Sequence, residues 1–481
     1  MLSMALDRGH SGARPPHSKV LRSFLTFNMK TLFGTDGIRG EAGKFPLDSP
    51  TVTAIGFSLA AHLAEREADP QIIIGRDTRE SGEAIELALI DGANKAGVEC
   101  LSAGVITTPG VAFLTRKHRA SAGVVISASH NPYQDNGIKI FSPSGEKMDD
   151  SVERMIEADI FGGKELPSSN QTGPSQSSPE LQEKLRQEYV SFLADEIGSD
   201  LNLEGLSMVV DCANGASSAL APVLFARLGA RVTAINAAPD GQNINRDCGS
   251  LHIDALRQRV VDARADLGVA FDGDADRALF IDNNGNFVDG DATLWALATS
   301  LQSHGKLHDN TVVATVMSNI GLEIALRSVG IRLVRTDVGD KYVLEKLLEL
   351  KAGLGGEQSG HIIMPELSLA GDGMITALCL LRAQRESRKT LAEMTVGFKQ
   401  YPQILVNVRV REKVPFAELP SVQTAVKEVE ELLSQKGRLL LRYSGTEKLS
   451  RVMIEGENQH QIEEYAARIA GAIEGEIGLA N

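Results

Sequence analysis

Four cysteines in 481 residues are too few for a disulfide scaffold. Cys100, Cys212, Cys248 and Cys379 lie far apart in sequence and lack the C-x-x-C spacing of zinc and redox sites. They read as reduced thiols of a cytoplasmic protein. No apolar run reaches the ~18 residues that a membrane-spanning helix needs. Positive charge is also scarce: 49 Lys and Arg stand against 63 Asp and Glu, a net charge of −14. That field repels polyanions and excludes a broad nucleic-acid surface, while a local basic pocket can still take a small phosphorylated substrate. Walker A, G-x-G-x-x-G and G-x-S-x-G sequences are all missing, so nucleoside triphosphate, dinucleotide and serine-hydrolase readings lose their main support.

What is present is an ordinary globular composition, 42% hydrophobic and 23% charged, with a length that suggests three or four domains. The first 28 residues carry Arg8, Arg14, Lys19 and Arg22 against one acid, Asp7. Without an apolar h-region they do not read as a secretory signal; a disordered extension before Met29 is expected, and an organelle transit peptide or an upstream start codon fits the composition as well. From there short β-branched strands alternate with amphipathic helices, the pattern of an α/β chain with mixed, mostly parallel sheets. Ser49-Pro50 reads as the cap and first position of a helix. A Gly, Ser and Pro-rich stretch over 162–179 closes the first unit. The expected domains are 29–178, 179–286 and 287–395, all α/β, and 396–481, a smaller α+β unit, around a central cleft.

Four segments carry chemistry. Ser127-Ala128-Ser129-His130-Asn131-Pro132 follows a buried strand, so Ser129 stands on a tight loop where α/β folds place ligands, with Lys139 close enough to supply a cation. Asp272-Gly273-Asp274-Ala275-Asp276-Arg277 follows the strand Leu267–Phe271. Its three carboxylates repel one another unless a hard cation such as Mg²⁺ or Ca²⁺ binds them, and Arg277 excludes an EF-hand. By contrast, Asp289-Gly290-Asp291 reads as a helix cap. Gly355-Gly356-Glu357-Gln358-Ser359-Gly360-His361 offers acceptors and donors suited to sugar hydroxyls, though equally it reads as a plain glycine turn. Arg442-Tyr443-Ser444-Gly445-Thr446, with Arg451 beyond, suits a phosphate monoester. Phe33–Gly40 adds a flexible loop with the cation Arg39.

In this order and together, the segments resemble the α-D-phosphohexomutase superfamily, from Met29 to near the C-terminus. The resemblance implies that Ser129 carries a phosphoryl group and, with Asp272, Asp274 and Asp276, holds one Mg²⁺. It implies that Glu357 and Ser359 read the sugar, and that Arg442, Ser444, Gly445 and Thr446, with Arg277 and Arg451, bind substrate. Arg39, His130 and Lys139 become candidates for catalysis. FGTDGIRG, Met317-Ser318-Asn319, Val338–Tyr342 and above all Gln358, where other branches more often have Met, resemble the amino-sugar branch. That branch implies interconversion of glucosamine 6-phosphate and glucosamine 1-phosphate through a 1,6-bisphosphate, feeding UDP-N-acetylglucosamine synthesis. It brings no nucleic acid or membrane partner and admits a homodimer. Tyr443 and Lys448 stand where Pro is usual, and Lys341 where Arg is usual. The rival readings are a glucose or mannose phosphomutase, a metal-dependent phosphatase, whose D-x-D-x-T signature fails at Asp276, and a non-catalytic sugar-phosphate-binding protein.

Overall fold

The computed structural model describes residues 32–479 except 35, 165, 168–176, 435, 445 and 446. The expected extension over 1–28 and most of the Gly, Ser and Pro-rich stretch therefore lie outside the described residues. The first sheet comprises β1 (Phe33–Gly34), β2 (Gly37–Glu41), β3 (Gln71–Arg76), β4 (Glu99–Val105), β5 (Ala122–Ile126) and β6 (Asp135–Phe141) in the order β1-β2-β6-β5-β3-β4. The second comprises β7 (Ser207–Asp211), β8 (Arg231–Ile235), β9 (Leu267–Phe271), β10 (Ala278–Asp282) and β11 (Phe287–Val288) in the order β11-β10-β9-β7-β8. β12 (Thr311–Thr315), β13 (Arg332–Thr336), β14 (Gly355–Gly356) and β15 (Ile362–Ile363) form the third, ordered β13-β12-β14-β15. The second sheet thus runs to Val288, just beyond the expected boundary at 286.

Each of these sheets has a parallel three-stranded centre, β5-β3-β4, β9-β7-β8 and β13-β12-β14, extended by an antiparallel neighbour, β6, β10 and β15. β5, β9 and β12 are buried at every residue, which is why their sequences run apolar without alternation: helices cover both faces. The fourth sheet differs. β16 (Gln403–Arg409), β17 (Arg438–Tyr443) and β18 (Leu449–Glu455) are antiparallel in the order β16-β18-β17. The helices Pro420–Leu433 and Gln459–Ile477 supply Val422, Val429, Ile462 and Ile469 to its core.

Helix starts follow their capping chemistry. Asp289 caps Gly290–Ser303, its side chain accepting from Ala292 N. At the first helix the cap is one residue earlier than the Ser49-Pro50 reading: Asp48 accepts from Thr51 N, and Ser49 and Pro50 occupy the first turn of Ser49–Ala64. A carboxylate reaches the free amides as well as a hydroxyl does, so neighbouring Asp and Ser compete for one cap. The four cysteines are unpaired. No helix among the described residues is long and apolar enough to cross a membrane.

The C-terminal sheet is fastened to the third unit through buried Glu455. Its carboxylate accepts from Asn319 Nδ2 at 3.3 Å, Ile320 N at 3.1 Å and Arg438 Nε at 3.0 Å. Asn319 N in turn donates to Asp291 Oδ2 at 2.7 Å. Burial, then the charge of Asp289, pushes the Asp291 carboxyl up from 3.8 to about 7. The folded protein therefore holds a proton there that the unfolded chain releases, and stability falls as pH rises from about 4 to 7. Asp291→Asn keeps the acceptor and removes the titration. Its thermal midpoint is expected to gain on the wild type as pH rises through this window and to level off above it. A difference independent of pH would refute this.

Candidate active site

Three of the four chemical loops occupy the same topological position. Residues 127–134 join β5 to β6, 272–277 join β9 to β10, and 357–361 join β14 to β15. In each, the chain leaves a strand of the parallel centre and returns antiparallel beside it. The fourth loop follows β17 in the β17–β18 hairpin.

Ser129 is held in the left-handed region, φ 52°, a conformation that a non-glycine residue keeps only where its surroundings enforce it. Its N–H donates to Ser127 Oγ at 2.9 Å. Its carbonyl accepts from Arg79 at 3.0 Å and Asn245 Nδ2 at 2.8 Å. Arg79 is wholly buried and also donates to the carbonyls of Asn131, Pro132 and Asp135, while Asp77 holds its Nε. The loop is thus strapped by its backbone, which leaves Ser129 Oγ for chemistry. That hydroxyl donates to Asp272 Oδ2 at 2.5 Å. Gly273 lies so close that a Cβ there would stand 2.5 Å from Ser129 O, so the second loop packs against the first only with glycine at this position.

Asp272, Asp274 and Asp276 each offer an oxygen within 4.8 Å of the others. Asp274 Oδ1 and Asp276 Oδ1 are buried without a hydrogen-bond partner among the described residues. Burial, with Asp276 and Asp274 beside it, drives the Asp272 carboxyl well above its usual range. Oxygens without hydrogen-bond partners, converging charge and an all-oxygen donor set fit a hard divalent cation, although Arg277 Nε stands 3.7 Å from Asp276 Oδ1.

Lys139 Nζ lies 3.0 Å from Asp274 Oδ2, 3.3 Å from Asp36 Oδ2 and 3.5 Å from Asp276 Oδ2. Burial opposes its charge, but these carboxylates outweigh it and hold the ammonium well above its usual range. Lys139 is thereby held as a cation, which disfavours a role as base. His130, 3.4 Å from Ser129 Oγ through Nδ1, is lowered by burial and then by Arg277 and Arg39, which favours its neutral, proton-accepting form. Arg39 donates to Ala128 O at 3.2 Å and pairs with Asp36. Arg277 N donates to Asp272 Oδ1 at 3.2 Å.

Sequence reasoning placed no role on Asp36, Asp77, Arg79, Thr108, Asn245 or His361. Thr108 Oγ1 donates to Asp274 Oδ2 at 2.6 Å. His361 Nδ1 stands 3.7 Å from Asp276 Oδ2 and Nε2 3.8 Å from Asp340 Oδ2. Burial works against its charge, yet Asp276, Asp340 and Glu357 push it up to about 9. His361 closes the glycine-rich segment 355–361, and that place at the end of the loop is the signal the sequence offers for it.

Glu357 accepts from Gly339 N at 3.1 Å and Ser359 Oγ at 3.2 Å. Glu357 and Ser359 line a cavity of ≈ 440 Å³ with Asp289 and Gln358. In the hairpin, Arg442 and Arg451 stand directly opposite each other; Arg451 Nε is buried without a hydrogen-bond partner among the described residues, and its Nη2 lies 3.9 Å from Glu447 Oε2. Like charges in that register are unfavourable unless an anion lies between them. Ser444 is buried, and Lys413 Nζ donates to its carbonyl at 2.6 Å. Tyr443 stacks on Phe416, ring centroids 4.3 Å apart, and donates to Val414 O at 2.5 Å. A ring thus anchors this loop where the superfamily more often has proline. Gly445 and Thr446 lie outside the described residues. The structure gathers Ser129, the three aspartates, Lys139, Arg39, His130 and Arg277 into one group. Arg442, Ser444 and Arg451 share no hydrogen bond or ion pair with it among the described residues.

A serine against an aspartate triad, with one such loop on each of three α/β units, is the arrangement that the resemblance to the phosphohexomutases implies. Profiles of the phosphoglucomutase/phosphomannomutase family match alpha/beta/alpha domain I over 30–166, domain II over 187–285, domain III over 289–401 and the C-terminal domain over 405–472. The chain belongs to that family. Within it, the phosphoglucosamine mutase of Solibacter usitatus is 51% identical over 93% of this chain and 99% of its own. That of Koribacter versatilis is 47% identical over 94% and 98%. Solved structures agree in fold. A Burkholderia thailandensis phosphoglucomutase/phosphomannomutase family protein superposes with TM-score 0.74 at 22% identity, over 93% of this chain and 99% of that one. Aspergillus fumigatus N-acetylphosphoglucosamine mutase, solved with GlcNAc-6P and magnesium, gives 0.60 at 18% identity, over 92% and 95%.

Proposed function

We propose that the protein is an isomerase that interconverts glucosamine 6-phosphate and glucosamine 1-phosphate. The observation that carries this reading is Ser129 Oγ, presented by a backbone that Arg79, Asn245 and Ser127 hold and 2.5 Å from Asp272, in a chain 51% identical to a phosphoglucosamine mutase. Phosphorylated Ser129 gives its phosphoryl group to the sugar O1: the bond from phosphorus to Oγ breaks, the bond to O1 forms, and the hydroxyl proton of O1 passes to a base. The bisphosphate then turns end for end. Ser129 Oγ takes the phosphoryl group from O6, and a proton returns to that oxygen. Nothing is consumed, because the carrier is phosphorylated again at the end of each cycle.

His130 is suited to accept the proton, since its neutral form is favoured and it lies beside Oγ, and Lys139 to hold charge. Asp272, Asp274 and Asp276, with the Ser129 phosphoryl group, would hold one Mg²⁺, whose chemistry is to neutralise charge on the group in transfer. Arg39 and Arg277 orient the phosphoryl end, Glu357 and Ser359 the sugar, and Arg442, Ser444, Gly445, Thr446 and Arg451 the distal phosphate. The domain boundaries at 179, 287 and 396 belong to the same reading.

The test is a coupled assay with glucosamine 6-phosphate, Mg²⁺ and a trace of sugar bisphosphate, run beside glucose and mannose 6-phosphates. Turnover fastest on the amino sugar is expected. Faster turnover of glucose or mannose phosphate would reassign the substrate, and binding without turnover would reduce the protein to a sugar-phosphate binder.

A further inference from the structure

The sugar loop is docked on the start of the helix Gly290–Ser303. Gly290 N donates to Gln358 O at 2.9 Å, and a Cβ on Gly290 would stand 2.0 Å from Glu357 O. The side chain of Gln358 is committed as well: Nε2 donates to Asp289 Oδ2 at 3.2 Å. Its amide N–H₂ is therefore turned to a protein carboxylate. Asp289 caps the helix through Oδ1, which accepts from Ala292 N at 2.9 Å. Oδ2 accepts from Gln358 alone among the described side chains, and a carboxylate oxygen can take a second donor.

Asp289 and Glu357 both line the cavity of ≈ 440 Å³, and none of its described lining residues is Lys, Arg or His. Nor does either carboxylate make an ion pair among the described residues. The cavity is thus acidic and rich in acceptors. A sugar hydroxyl in that position both donates and accepts and carries no charge. An ammonium group only donates and is cationic.

We propose that Asp289 is the residue that selects a 2-ammonium sugar over its 2-hydroxy counterpart through the second acceptor site of Oδ2, and that Gln358 is a positioning residue that orients this oxygen. This rests on the amino-sugar reading above and names the group that recognises the amine. Burial raises the Asp289 carboxyl, and a cation in the cavity favours its charged form.

The substitution Asp289→Asn removes the charge and keeps the cap, because asparagine caps a helix as well as aspartate does, while Gln358 turns its amide oxygen to the new N–H₂. The measurement is the ratio of kcat/KM for glucosamine 6-phosphate to that for glucose 6-phosphate, with Mg²⁺ and bisphosphate present. The ratio is expected to fall about ten- to a hundredfold in Asp289→Asn, the range for a hydrogen bond to a charged group. Gln358→Met should lower it by less, and the double variant no further than Asp289→Asn alone. An unchanged ratio, or an equal loss on both sugars, would overturn the proposal by reducing Asp289 to a cap. A wild-type enzyme with no preference for the amino sugar would instead overturn the reading beneath it, and the assay shows which has failed.

Discussion

Ser129→Ala is expected to fold like the wild type and to lose on the order of 10³-fold or more in kcat, the scale on which removal of a covalent carrier acts in other enzymes. The structure explains why the fold survives. Arg79 and Asn245 hold the Ser129 carbonyl and Ser127 holds its N–H, so the cage depends on backbone atoms that alanine also has. Alanine tolerates the left-handed conformation here, as Ala213 and Ala275 already do at φ 54° and 55°. Only the contacts of Oγ with Asp272 and His130 are lost. Ser127→Ala is the informative control. Ser127 Oγ donates to Asp77 Oδ2 at 2.6 Å and accepts from Ser129 N, so its loss loosens the cage without removing the nucleophile. It should lower activity less and stability more. Mass spectrometry of the purified wild type should find phosphoserine at 129, absent in Ser129→Ala. Near-full activity of Ser129→Ala beside an inactive Ser127→Ala would refute the assignment.

Much of this site was legible because its chemistry is written in short contiguous loops at the ends of apolar strands. The alternate carboxylates of 272–276 and the serine between a buried strand and Pro132 need no tertiary knowledge to be noticed. The partners that hold those loops were not legible, because each acts across the fold. Arg79 precedes the loop it straps by some fifty residues, and Asn245 follows it by more than a hundred. A signal existed at Asp77-Thr78-Arg79, which follows the apolar β3 as the other loops follow theirs, but nothing local says that Arg79 is buried. The threefold repetition of strand, loop and antiparallel return was hidden for a different reason. Buried β-branched strands tolerate exchange of one apolar residue for another, while the three loops carry unlike chemistry, so topology repeats without a repeated sequence. Gln358 shows the opposite limit. The sequence marked the position, but only the structure shows its amide turned to Asp289.

Excess chelator is expected to remove activity by about 10²–10³-fold, since neutralising charge on a transferring phosphoryl group is worth several kcal/mol. Asp272→Asn, Asp274→Asn and Asp276→Asn should each lose activity on that scale. Their effects on stability should differ. By spacing alone, any one replacement relieves repulsion between the remaining two carboxylates. In the fold the three are not equivalent. Asp274 Oδ2 faces Lys139 at 3.0 Å and Thr108 at 2.6 Å. Asp276 Oδ2 faces Lys139 at 3.5 Å and His361 at 3.7 Å, and despite burial these cations hold its carboxyl well below the usual range. Asp272 has a hydroxyl and a backbone N–H for hydrogen-bond partners and bears the repulsion of the other two. In chelator, Asp272→Asn should therefore raise the thermal midpoint. Asp276→Asn should lower it, because Lys139 and His361 would be left buried with less opposing charge. Undiminished turnover in excess chelator would refute the metal assignment, and equal shifts in midpoint for all three variants would refute the division of charge within the triad.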